Sequence, residues 1–206
     1  MTTFRPDCWD EDIWRAVVEG NEYGIEGVWE GDVLDIGGHI GAFAHLAVTQ
    51  LGARTVVTVE PDPNNYALLN ANLREFISAG RVLPINLACS SAPLASLKHE
   101  AIPIQNTGGM EYAPDPNGTV GCMALAELLG FLQPPVLLKI DCEGCEFDAF
   151  TTTADLSKIG AIVGEYHCGR GNGNTLESLR ILLESHGFAF SSRGDENIGI
   201  FGAHRP

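Results

Sequence analysis

Positive charge is scarce in this chain. Its 206 residues carry 12 Lys and Arg against 27 Asp and Glu, a formal net charge of −15. A surface that acidic repels phosphate backbones and anionic lipid, which argues against nucleic-acid or membrane partners. No apolar run is long enough to span a bilayer. The stretch Met1–Asp12 lacks the basic start and apolar centre of a secretory leader. The expectation is a soluble, cytoplasmic protein, with its six cysteines as reduced thiols rather than a disulfide framework. There is no internal repeat, low-complexity segment or clear linker. Residues 1–206 are therefore read as one domain, and a hydrophobic content of 45% is enough for one core.

What is present centres on Val33–Ala44, VLDIGGHIGAFA. It reads as a buried strand, a glycine turn and the start of a helix. Glycine lacks Cβ, so the backbone turns tightly and a ligand can approach it closely. The helix that follows directs its free N–H groups at whatever sits in the turn. Around this unit, strands alternate with helices. Strands are expected at Val33–Ile36, Thr55–Val59, Val82–Leu87, Val136–Ile140 and Ile159–Tyr166, with a closing pair at Phe188–Ser192 and Ile198–Ala203. Helices are expected over Trp9–Gly20, Gly41–Leu51, a span opened by Asp62-Pro63 and carrying Leu69, Leu73, Phe76 and Ile77, then Met123–Leu129 and around Phe147–Phe150. A last helix is opened by a capping box of Asn174 and Glu177 and closed by Gly187. The alternation predicts an α/β, doubly wound, Rossmann-like parallel sheet covered on both faces. Residues 1–30 form a helical lead-in. Residues 90–122, rich in proline and glycine, read as an irregular loop, with Ile102–Asn117 as the lid over an acceptor.

Three features select the ligand of the glycine turn. No Walker-type lysine follows it, which disfavours a nucleoside triphosphate. Glu60 ends the second strand, where a carboxylate can accept both hydroxyls of a ribose. The spacing Gly37, Gly38, Gly41 places His39 where a dinucleotide fingerprint has its second glycine, and a bulky residue there crowds a pyrophosphate. Ribose recognition without a pyrophosphate or triphosphate points to S-adenosylmethionine.

The blocks DIGGHIG, EPDPNN, KIDCEGCE and GEYH, in that order within Tyr23–His167, resemble the FkbM family of S-adenosylmethionine-dependent methyltransferases. The K-x-D-x-E-G-x-E block is the most specific of them. The resemblance implies a seven-stranded methyltransferase sheet of order 3-2-1-4-5-7-6 with the last strand antiparallel. It also implies that Asp35, Gly37, Gly38, His39, Ile40 and Gly41 lie at the methionine end of the cofactor. Glu60 and Pro61 would lie at the ribose, Asn86, Leu87 and Ala88 at the adenine, and Asp141 beside the reacting end. The chain departs from the family pattern at three places. His39 replaces the usual asparagine and brings a titratable ring to the turn. Ala126 replaces an aspartate. No aspartate ends the third strand, so Asn86 or backbone groups are left to read the adenine.

Methyl transfer from a sulfonium is an in-line displacement in which the enzyme mainly aligns the reactants, with a base for a hydroxyl acceptor. Asp141, Glu165 and His167 are the candidates for base and acceptor positioning. His167 is preferred because its unperturbed pKa is near neutrality. Glu143-Gly144 is read as a turn, and Glu146 as the cap or start of the next helix. Lys139, inside an apolar strand, is expected to pair with a carboxylate or reach solvent. No metal is assigned: divalent-metal assistance through Asp141, Glu165 and His167 is left open, but no spacing argues for it. The reading is O-methylation of a small-molecule hydroxyl, on a sugar or natural product, with a nitrogen or carboxylate acceptor as a variant. Two alternatives stay open. One is a nicotinamide oxidoreductase on a Rossmann sheet. The other is a zinc or redox module built on Cys142 and Cys145.

Overall fold

The structure, a computed structural model, describes residues 2–96, 105–169 and 173–206. Its main sheet is built from β1 (Asp32–Ile36), β2 (Val56–Val59), β3 (Val82–Ile85), β4 (Val136–Ile140), β5 (Ile159–His167), β6 (Ala189–Gly194) and β7 (Ile198–His204). These lie side by side in the order β3-β2-β1-β4-β5-β7-β6. β1 pairs in parallel with both β2 and β4, while β7 runs antiparallel to β5 and to β6. The helices are α1 (Asp10–Val18), α2 (Ala42–Thr49), α3 (Pro63–Asn72), α4 (Arg74–Ser78), α5 (Leu125–Leu128), α6 (Glu146–Thr152) and α7 (Leu176–Ser185).

Side chains on successive strand residues point to opposite faces, and here both faces are apolar. Leu34, Ile36, Leu138 and Ile140 join α5, α6 and α7 in one buried cluster. Val33, Val56 and Leu137 join α1, α2 and α3 in the other. A strand buried on both sides reads as an unbroken hydrophobic run, as VLLKI of β4 does around its single lysine. From β1 the chain moves outward through β2 to β3, then returns to β4 on the other side of β1. The crevice left at the carboxyl ends of β1 and β4 is where ligands bind in open sheets of this kind.

Three details differ from the sequence expectation. The helix opened by Asp62 does not run through to Ile77, because Leu73 (φ −101°, ψ 7°) leaves the helical region and divides α3 from α4. α7 is capped one residue later than expected. Thr175 Oγ1 accepts from the Ser178 N–H at 3.1 Å, and Ser178 Oγ accepts from the Thr175 N–H at 3.0 Å. Glu177, the expected partner, instead accepts from Arg180 Nε at 2.8 Å. The region 90–122 is not wholly irregular: Leu94–Ser96 pairs antiparallel with Tyr112–Pro114, and Ala88–Cys89 pairs in parallel with Cys122–Met123. The first part of the expected lid, Ile102 to Ile104, lies outside the described residues. Among the described residues no helix is long and apolar enough to cross a membrane.

Candidate active site

The glycine turn leaves β1 at Ile36 and crosses directly over the start of the turn after β4. Gly37 has φ +79°, and a Cβ there would lie 1.7 Å from the Asp141 carbonyl oxygen, so no side chain fits. The N–H groups of Gly37 and Gly38 both donate to the Val59 carbonyl, at 3.0 and 2.9 Å, which ties the turn to the end of β2. Beneath it, Asp35 and Lys139 face each other across paired strands, with Nζ 3.3 Å from Oδ1. Asp35 Oδ2 accepts from Thr58 Oγ1 at 2.8 Å. Lys139 also donates to the carbonyls of Ile36 (3.2 Å) and Gly37 (2.6 Å). Burial works against its charge, but Asp35 and Asp141 outweigh burial and its pKa is raised. The expected pairing of this lysine is therefore present, and it braces the turn from below.

Glu60 lines the cavity beside this turn and is 5% exposed. Its Oε2 accepts from the His39 N–H at 2.8 Å and its Oε1 from the Asp62 N–H at 2.9 Å. Burial raises its pKa to about 7, against those two hydrogen bonds, which favour the carboxylate. Gly37, Gly38, His39, Pro61, Leu87, Ala88 and Asp141 line the same cavity of about 940 Å³. Four of the expected cofactor residues do not. Asp35 lies below the turn. Ile40 is fully buried in the core. Gly41 faces Leu69 and Leu73 at the start of α2. Asn86 spends its amide on the carbonyls of Glu60 (2.7 Å) and Pro61 (3.2 Å), so it shapes the bend rather than facing the adenine space.

His39 is turned away from solvent into a polar knot. Its Nε2 lies 2.9 Å from Thr107 Oγ1 and 3.6 Å from Asp10 Oδ1. Burial lowers its pKa to about 4, so the ring is neutral above that pH and is not the titratable switch the sequence suggested. Asp10 is fully buried and is held by Arg5 Nε (2.9 Å), Arg5 Nη2 (2.8 Å) and Thr107 Oγ1 (2.7 Å). Burial alone would raise the Asp10 pKa, but Arg5 and Thr107 pull it well below the usual carboxylate range. Asn65 completes the knot, accepting from Arg5 Nη2 and donating to the Thr107 carbonyl at 2.9 Å. The sequence reading singled out none of Arg5, Asp10 and Asn65 for the site, and held Thr107 only as part of the Ile102–Asn117 lid. Their contacts span up to 97 residues, and no local pattern announces them.

At the other end of the cavity β4 and β5 present acids. Asp141 follows β4, and its Oδ2 accepts from the Tyr23 hydroxyl at 2.8 Å. Glu165 and His167 sit two apart on β5 and share a face, as expected. One ligand atom from each of Asp141, Glu165 and His167 lies within 4.8 Å of the others. His167 is 2% exposed. Its Nδ1 lies 3.1 Å from Glu146 Oε1, and its Nε2 lies 3.3 Å from Glu143 Oε2 and 3.5 Å from Glu165 Oε2. Burial opposes its charge, yet Glu146, Glu165 and Glu143 prevail and raise the pKa to about 11. An imidazole that keeps its proton cannot take another, so the expectation of His167 as the base is corrected. Glu143 (φ +57°) and Gly144 (φ +113°) do form the turn. Glu146 opens α6 and accepts from the N–H groups of Cys142 and Gly144, each at 3.3 Å. The same turn brings the Cα atoms of Cys142 and Cys145 to 5.5 Å and closes a disulfide between them. That corrects the expectation of six thiols and removes both sulfurs as thiolate ligands for zinc. Cys8, Cys89, Cys122 and Cys168 are free.

The model of the methyltransferase FkbM domain matches residues 35–195. No curated protein matches the chain. Among solved structures, the methyltransferase FkbM from Methylobacillus flagellatus KT aligns with a TM-score of 0.54 at 14% identity, covering 84% of this chain and 43% of that one. The precorrin-6y C5,15-methyltransferase from Geobacter metallireducens GS-15 aligns with a TM-score of 0.50 at 14% identity, covering 100% of this chain and 94% of that one. At such identities the likeness is one of fold.

Proposed function

The chain belongs to the FkbM methyltransferase family, and on that premise we propose that it transfers the methyl group of S-adenosylmethionine to a hydroxyl of a small molecule. The observation that carries this reading is a single cavity with two chemically different ends. One end has Glu60 and the glycine turn, and the other has Asp141, Glu165 and His167. The first end fits the cofactor. Glu60 is a buried carboxylate at a strand end whose oxygens are aimed by two backbone N–H groups and keep lone pairs for a ribose diol. Gly37 lets the turn pack directly on the backbone of Asp141, and both line the cavity.

Bound S-adenosylmethionine supplies an activated methyl group, so the protein's own residues need only align and deprotonate the acceptor. His167 holds its proton and fixes the carboxylates around it. Asp141, oriented by Tyr23, and Glu165 face the acceptor space, and the acceptor's hydroxyl proton passes to this pair. Family membership takes the place of the nicotinamide alternative. The acidic surface favours a small acceptor over nucleic acid.

Calorimetric titration with S-adenosylhomocysteine tests the cofactor half. Wild-type protein is expected to bind it, and Glu60→Gln to bind it roughly 10- to 100-fold more weakly, as for a lost hydrogen bond to a charged group. No binding to the wild-type protein would sink the reading.

A further inference from the structure

We propose that Asp141, Glu165 and His167 form a site for a divalent cation of the Mn²⁺ class at the acceptor end of the cavity. Its role in catalysis rests on the methyltransferase reading, but its geometry does not. Two carboxylates and one imidazole, with ligand atoms within 4.8 Å of one another, can surround a single ion. That mixed O/N donor set suits a first-row transition metal better than Mg²⁺, which prefers oxygen and water.

The two nitrogens of His167 are already in different roles. Nδ1 is backed at 3.1 Å by Glu146, which is itself fully buried, while Nε2 turns toward Glu165 and Glu143. A carboxylate behind one ring nitrogen is how metal-ligating histidines are oriented and made more basic. Asp141 is steadied by the Tyr23 hydroxyl. The two strands pair in parallel up to Ile140 and Gly164, one residue before Asp141 and Glu165.

Charge makes the same demand. Asp141, Glu143, Glu146 and Glu165 gather around one imidazole. Lys139, the nearby ammonium, is committed to Asp35 and to two carbonyls. Glu146 Oε2 is buried with no hydrogen-bond partner. Carboxylates gathered partly out of water favour a cation among them. On binding, the metal takes the place of the Nε2 proton held in the metal-free protein, which leaves to solvent. The ion then fixes Asp141 and Glu165 through one oxygen each, and the second carboxylate oxygen stays free to take the acceptor's proton. Three protein donors on a six-coordinate ion leave positions for a chelating acceptor: a molecule with two adjacent oxygen donors, such as a vicinal diol or a hydroxy acid, would bind the ion and offer one oxygen for methylation.

Mn²⁺ titration followed by loss of the aqueous Mn²⁺ resonance tests the site directly. One ion per chain is expected. Glu165→Gln, whose side chain is only partly buried, should weaken binding at least tenfold. His167→Gln should do the same if circular dichroism shows it folded. Glu60→Gln should lose S-adenosylhomocysteine and keep Mn²⁺, and the exposed Glu177→Gln should change neither. The proposal is overturned by absence of Mn²⁺ binding at millimolar concentration, by equal binding to Glu165→Gln, or by capture of propylammonium instead of Mn²⁺, which would make the acidic end a seat for a cationic acceptor. If Mn²⁺ fails while S-adenosylhomocysteine binds, the metal site falls and the methyltransferase reading stands. The converse result leaves the site and removes that reading.

Discussion

Glu60 sits almost fully buried at the end of β2, where water cannot stabilise its charge, and its pKa rises to about 7. A ribose diol needs the ionised form as a double acceptor. Affinity for S-adenosylhomocysteine should therefore be highest above pH 7 and fall as pH drops through 7, by up to about tenfold per unit. The profile should be flat in Glu60→Gln, as calorimetry at stepped pH would show. The sign reverses for folding of the apo protein. A carboxyl whose pKa rises on folding favours the protonated native state, so its contribution is lost as pH climbs from the ordinary value of 4.5 through 7. At this scale the positions of Glu60, Asp141, Glu165 and His167 were legible, because they stand at strand ends, and all four line the cavity. Their protonation was not. Against burial, the pKa of His167 is raised by Glu146 and Glu165, with Glu143; Glu165 is its neighbour on the strand, but Glu143 and Glu146 come from the turn after Asp141. The ring of His39 is neutralised by burial that no neighbour in the sequence reveals.

Elements were read well where the signal is local and less well where tertiary packing chooses. The hairpin of β6 and β7 is closed by Asp195, whose Oδ1 accepts from the N–H groups of Asn197 (2.8 Å) and Ile198 (3.0 Å). This is the turn chemistry the residues advertise. The α7 cap was misplaced by one residue because Asn174 and Thr175 are both good caps. Thr175→Ala is expected to cost about 1 kcal/mol in chemical denaturation. The turn from Asp141 to Cys145 was seen as a turn, but the disulfide across it was not. A lone C-x-x-C is ambiguous until the backbone brings the sulfurs together. Mass spectrometry after alkylation in denaturant without reductant should find four modified cysteines, matching the four free thiols, and two more after reduction.

For the whole molecule, stability rests on a sheet buried on both faces. Leu34, fully buried in the larger cluster, is the place to test it. Leu34→Ala should cost roughly 3–4 kcal/mol by urea denaturation, the loss of transfer energy plus a cavity that a packed sheet cannot close. The sequence by itself determined the architecture and the two ends of the cavity, because strand periodicity, glycine placement and acids at strand ends are local properties. Only the tertiary structure decided which of those residues face the cavity. Asp35, Ile40, Gly41 and Asn86 became the frame, while Arg5, Asp10, Asn65 and Thr107 were drawn from distant segments to brace the turn. It also gathered four carboxylates around His167. The physical reason is that orientation, burial and charge coupling depend on contacts between segments far apart in the chain, and those exist only once the sheet has formed.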